Sequence, residues 1–170
     1  QRPSHREAIA KLSGEMGAGI VDTLVVLGGN PAYDVPSDLD FAKKLSGVKA
    51  TVRLGLYDDE TSAVCRWHVP QAHYLEAWGD ARGWDGTAGL VQPLIEPLYD
   101  GMSAIELSAT MIDGKPGHGF DLVRRTWGAT LPALNFEKSW RRIVHDGVSE
   151  ETRFAAVTPA FAAGWGAAVS

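Results

Sequence analysis

The chain has 170 residues, 45% of them hydrophobic, and carries 16 Lys and Arg against 21 Asp and Glu, for a formal net charge of −5. That length suits one domain burying about 70% of the surface its unfolded form exposes. The acidic balance, with no basic cluster denser than Arg124-Arg125 or Arg141-Arg142, argues against a nucleic-acid partner, whose phosphates need a basic face. A single cysteine, Cys65, excludes an internal disulfide, a four-cysteine zinc site and any iron–sulfur cluster carried on this chain alone. No apolar run approaches the ~20 residues that span a bilayer, and no signal peptide is visible. A start at Gln1 rather than Met reads as a piece of a longer protein.

Residues 4–18 read as a helix, because Ser4 and Glu7 have capping-box spacing and Ile9, Leu12 and Met16 recur at helical intervals. A first strand follows at Thr23–Leu27. Ser37, after Pro36, opens a second helix over 37–45 with Leu39, Ala42 and Leu45 facing inward. Residues 50–56 form a second strand, 59–65 a short helix, and Arg66–Val69 a third strand ending at Pro70. This β-α-β-α-β order implies parallel pairing and right-handed crossovers. Residues 71–101 show no sustained period and read as one long irregular loop rich in Gly and aromatics. Helices return at about 103–112, 118–127 and 136–146, and 147–170 reads as an Ala- and Gly-rich tail that docks elsewhere in a longer protein. The expected fold is therefore a three-layer, Rossmann-like parallel sheet flanked by helices, occupying 1–146, with a long loop and a C-terminal helical segment.

The run from Val21 to Pro31 carries the strongest local signal. It is apolar on both faces, as in a strand buried between helical layers, and stops on Gly28-Gly29-Asn30-Pro31. Glycines there permit positive φ and close approach of a ligand, and open α/β sheets bind ligands beyond the carboxyl ends of their strands. The same four residues also suit a tight turn with no ligand. Asp58-Asp59-Glu60-Thr61 closes the second strand; its acidic residues favour a helix amino terminus, and Glu60 and Thr61 are placed beside Asn30 at one crevice. Cys65, His68, His73 and Glu76 offer soft and imidazole donors, but their spacing matches no common zinc pattern, so core or hydrogen-bonding histidines are the better reading. Asp80, Arg82 and Asp85 could serve acid–base chemistry, although an Arg82–carboxylate pair stitching the loop down is the simpler expectation.

Gly-Gly-Asn-Pro after a buried strand, Glu60-Thr61, a short strand ending in Pro70, the Leu75-Glu76 step and Gly86-Thr-Ala-Gly-Leu-Val-Gln92 together resemble the third domain of the molybdopterin oxidoreductase superfamily. Within it, Val21 to Tyr33, Leu54 to Thr61, Cys65 to Arg82, Tyr99 to Leu107 and Phe136 to Arg142 are similar to the iron–sulfur subunit of alternative complex III, a quinol-oxidising membrane complex of bacteria. The resemblance implies a Rossmann-like domain that, in active relatives, holds one guanine-dinucleotide arm of the bis-molybdopterin cofactor through Gly28, Gly29, Asn30, Pro31, Glu60 and Thr61. In the similar subgroup it implies a cofactor-free structural domain with no catalytic or metal-ligating residue of its own. Iron–sulfur clusters would then lie elsewhere in the parent chain, on a ferredoxin-like domain. Partners would be that domain and the membrane subunits, on the extracytoplasmic side, with no membrane insertion by this soluble piece. The alternative implied by the same resemblance is the bis-molybdopterin guanine dinucleotide-binding domain of an active molybdenum oxidoreductase.

Overall fold

The computed structural model describes residues 4–131, 133–161 and 163–164; the last stretch of the expected tail lies outside these. Helix α1 (His5–Gly17) begins on Ser4, whose hydroxyl accepts the Glu7 N–H while the Glu7 carboxylate accepts the Ser4 N–H. Strand β1 (Thr23–Leu27) follows, then the single turn α2 (Pro31–Asp34). The expected helix over 37–45 is broken. Ser37–Leu39 is a 3-10 turn, Asp40 takes a left-handed conformation at φ 49°, and α3 (Phe41–Ser46) starts afresh. Ser37 therefore caps nothing, and aspartate is among the few residues that tolerate this backbone region. The break turns the Leu39 carbonyl toward α1, where the buried Ser13 hydroxyl donates to it at 2.7 Å and accepts from Lys44.

Strand β2 (Ala50–Gly55), helix α4 (Glu60–Val64) and strand β3 (Trp67–Pro70) complete a parallel sheet in the order β1-β2-β3. Thr23 lies beside Ala50 and Val52 beside Trp67 in its register. Met16, Phe41, Leu45 and Val48 form its core, with Leu24 of β1 and Val64 of α4 packed against them. Helices α1, α3 and α4 thus cover one face. Mixed α/β architecture around a small three-stranded parallel sheet is what the element order in the first 70 residues demands.

Beyond Pro70 the sequence expectation needs correcting. The stretch read as an irregular loop holds a hairpin, β4 (Gly79–Arg82) and β5 (Ala88–Val91). The first of these, Gly-Asp-Ala-Arg, carries almost no β propensity, so pairing and burial impose it. Helices α5 (Ala104–Asp113), α6 (Gly119–Gly128) and α7 (Phe136–Asp146) follow where the sequence predicts them. Glu106 closes a capping box with Ser103 and also accepts the Gly119 N–H, joining the start of α5 to the start of α6. The first residues of the expected tail form β6 (Val148–Ser149), antiparallel to β5. Ala88, Val123, Trp127, Leu131, Trp140 and Ile143 make a second core between this sheet and the helices. The two halves meet where Met102 donates to the Pro70 carbonyl and accepts from Ala72.

Candidate functional site

At the carboxyl end of β1 the chain turns through two left-handed glycines, Gly28 at φ 69° and Gly29 at φ 65°. A Cβ added at either would meet nothing within 4 Å, so backbone conformation, and not crowding, calls for glycine here. Gly28, Gly29, Asn30 and Pro31 line an open cleft of about 570 Å³, closed on its other side by His5, Arg6 and Ile9 of α1 and by Asp34, Val35 and Pro36. The Gly28 N–H is taken by the Leu54 carbonyl.

Asn30 does not reach into this cleft with a free amide. Its Oδ1 accepts from both the backbone N–H and the hydroxyl of Thr61, at 3.2 and 2.7 Å, and its Nδ2 donates to Glu60 at 2.7 Å. The Thr61 hydroxyl accepts the Ala32 N–H in turn, and Thr61 is fully buried. The hydrogen bond from Asn30 holds the Glu60 carboxyl below the usual carboxylate range. The structure therefore brings Asn30, Glu60 and Thr61 together as the sequence suggests, but as a clamp between the starts of α2 and α4. Glu60 and Thr61 are not among the cleft-lining residues.

Next to the clamp lies a buried polar chain. Arg53, only 3% exposed, donates through Nη2 to Asp59 at 2.8 Å and through Nη1 to the Leu54 carbonyl. Its Nε has no partner among the described residues. Asp59 caps α4 by accepting the Ser62 N–H, and the Ser62 hydroxyl sits 3.1 Å from Asp59 and 2.7 Å from His68 Nδ1. Burial pushes the Asp59 carboxyl up, yet the hydrogen bonds from Arg53 and Ser62 outweigh it and bring the pKa down to about 2. Gly55 makes room for this arginine, since a Cβ there would come within 2.9 Å of the guanidinium.

The remaining candidates are structural in their contacts. Burial pushes the Cys65 thiol up, and the residue packs against the first core. His73 accepts the Leu75 N–H and leans on Tyr74, and its own N–H donates to Glu76. Among the described residues no group of three His, Cys, Asp or Glu is placed to hold a metal ion. Among the described residues Arg82 pairs with no carboxylate. Instead it donates to the Gly86 carbonyl and lies between the Trp127 and Phe154 rings, at 5.6 and 5.3 Å from their centroids, while Asp85 pairs with Arg153. The loop is stitched down as expected, but through aromatic faces and the chain's later residues.

Sequence reasoning passed over Arg53, Ser62 and the α1 wall of the cleft. An arginine inside the apolar run Ala-Thr-Val-Arg-Leu-Gly was the available signal, because a charge in a buried strand needs a partner nearby. No helix among the described residues is long and apolar enough to cross a membrane. Comparison with protein-family models finds no match, and no curated protein matches the chain.

Proposed function

We propose that this chain is a cofactor-free, molybdopterin-oxidoreductase-like structural domain in the iron–sulfur subunit of a quinol-oxidising electron-transfer complex of the alternative complex III type. On this reading its sheet is one part of a three-layer, Rossmann-like unit, and it holds neighbouring domains and membrane subunits in register on the extracytoplasmic side. Electrons pass through iron–sulfur clusters carried elsewhere.

One observation carries the proposal. The residues that would face a dinucleotide arm are engaged with one another, Asn30 with Thr61 and Glu60, so the motif works as a clamp within the fold. The cleft wall also presents the Asp34 carboxylate, which opposes a pyrophosphate. On this reading Asn30, Glu60 and Thr61 brace the fold instead of cradling a pyrophosphate. The exposed side chains of Trp67, Trp84, Leu98 and Tyr99 fit a domain whose surface meets other chains.

A second reading, a domain holding one arm of bis-molybdopterin guanine dinucleotide, draws on the cleft itself, with Arg6 in its wall and two left-handed glycines at its floor. Elemental analysis of the chain after co-expression with the cofactor's biosynthetic enzymes separates the two. The scaffold reading expects no molybdenum; a stoichiometric signal establishes the second reading in its place.

A further inference from the structure

Three polar groups converge on the Ser62 hydroxyl. It lies 2.7 Å from His68 Nδ1, 3.1 Å from Asp59 Oδ1 and 3.3 Å from the Tyr57 carbonyl. A hydroxyl has one proton to give and two lone pairs with which to accept. Two of these neighbours can only accept. The Tyr57 carbonyl carries no proton, and Asp59 is ionised at neutral pH. Against its burial, the hydrogen bonds from Arg53 and Ser62 hold the Asp59 pKa at about 2. His68 is the neighbour with a choice, since a neutral imidazole carries its proton on either ring nitrogen.

The two choices differ in what they leave facing Asp59. With the proton on Nε2, Nδ1 must accept, and the Ser62 proton turns away from the carboxylate. Hydroxyl lone pairs then face an ionised oxygen at 3.1 Å. With the proton on Nδ1, the ring donates to the Ser62 oxygen and the hydroxyl donates to Asp59, whose other oxygen accepts from Arg53. Each hydrogen bond in the chain then has one donor and one acceptor. Bonds to an ionised acceptor are roughly twice as strong as neutral ones, and linked bonds polarise one another. That gain outweighs the small preference of a free histidine side chain for a proton on Nε2.

The second ring nitrogen is left open. His68 is half-buried on β3, and its Nε2 has no hydrogen-bond partner among the described residues. The unpartnered side-chain atoms sealed from solvent there are the Arg53 Nε and the Trp127 Nε1. His68 Nε2 is not one of them, so it reaches solvent. Regular elements hold the ring in place. His68 sits in register beside Arg53 of β2, and Ser62 lies in the first turn of α4, which Asp59 caps. A group held this way is positioned more firmly than one on a loop.

We propose that the Asp59–Ser62 pair fixes neutral His68 with its proton on Nδ1, which makes the outward Nε2 a positioned base. Its ligand is a hydrogen-bond donor, an O–H or N–H group that approaches this end of the sheet. If that donor gives up its proton, the proton joins the Nε2 lone pair and the ring becomes imidazolium. The Nδ1–H bond to Ser62 stays as it is. The inference rests on this geometry and holds under either reading of the cleft.

Long-range proton–nitrogen correlation spectra of the nitrogen-15-labelled chain test it at about pH 8, beyond the usual imidazole titration. The His68 pattern should show Nδ1 protonated and Nε2 bare. In Ser62→Ala the pattern should reverse, with most of the ring protonated on Nε2. The wild-type spectrum is decisive even if that variant fails to fold. Diethylpyrocarbonate, which acylates a bare ring nitrogen, gives a second readout. It should modify His68 in the folded chain as well as His145, whose Nδ1 also meets a carboxylate. A wild-type ring protonated on Nε2 overturns the proposal. So does a tautomer unmoved in a folded Ser62→Ala, or a His68 left unmodified while His145 reacts.

Discussion

Arg53 shows how one residue organises its surroundings. It sits in the middle strand, almost wholly buried, and its charge is answered by Asp59, the cap of α4. Replacing Asp59 with Ala leaves a buried guanidinium unpaired and uncaps the helix, which should cost on the order of 3–5 kcal/mol in urea unfolding. The pH dependence follows from the same pair. Asp59 titrates at about 2 when folded, below its unfolded value. Its stabilisation is therefore fully present above about pH 5 and fades as pH falls from about 4 toward 2, a change of about 2 kcal/mol. The stability gap between wild type and Asp59→Asn should close over that window. A gap that stays constant down to pH 2 would show that Asp59 is not held in its charged form by the fold.

Elements were legible where local chemistry and tertiary packing agree. The capping-box spacing at Ser4 and the run of β1 mark a helix and a strand start in the sequence, and the structure places those elements there. Elements imposed from a distance were not legible. The hairpin of β4 and β5 gains its third strand from Val148–Ser149, some 60 residues on, and no pattern within Gly-Asp-Ala-Arg announces that partner. The break at Asp40 is similar, because the periodicity of Leu39, Ala42 and Leu45 runs straight through it. The residues after β6 also belong to the fold. The buried Thr152 hydroxyl accepts the Ala88 N–H at 2.8 Å and donates to the Ser149 carbonyl. Thr152→Val keeps the shape and leaves that N–H unpaired, at a cost of about 1–3 kcal/mol, with faster hydrogen exchange at Ala88 as the accompanying signature. Unchanged exchange there would mean that this segment only rests on the sheet.

Across the whole molecule, two cores sit on two small sheets, one parallel and one antiparallel, joined through Met102 and the end of β3. The sequence located the turn at Gly28 and Gly29 and the nearness of Asn30 to Glu60 and Thr61, since a strand end and a helix start on one sheet edge follow from the element order. It could not show which way the asparagine amide turns. That choice depends on Thr61 being buried with its hydroxyl available, a property of packing between α2 and α4. The account's central claim is that this amide holds the fold together and does not serve a ligand. Thermal unfolding of wild type and Asn30→Ala, each with and without guanosine diphosphate as a stand-in for the dinucleotide arm, tests it most directly. The loss of the clamp should lower the Tm of the variant by several degrees, for about 1–3 kcal/mol, and the nucleotide should move neither protein. A nucleotide-dependent rise in the wild-type Tm that Asn30→Ala abolishes, with the unliganded Tm unchanged, would contradict the account.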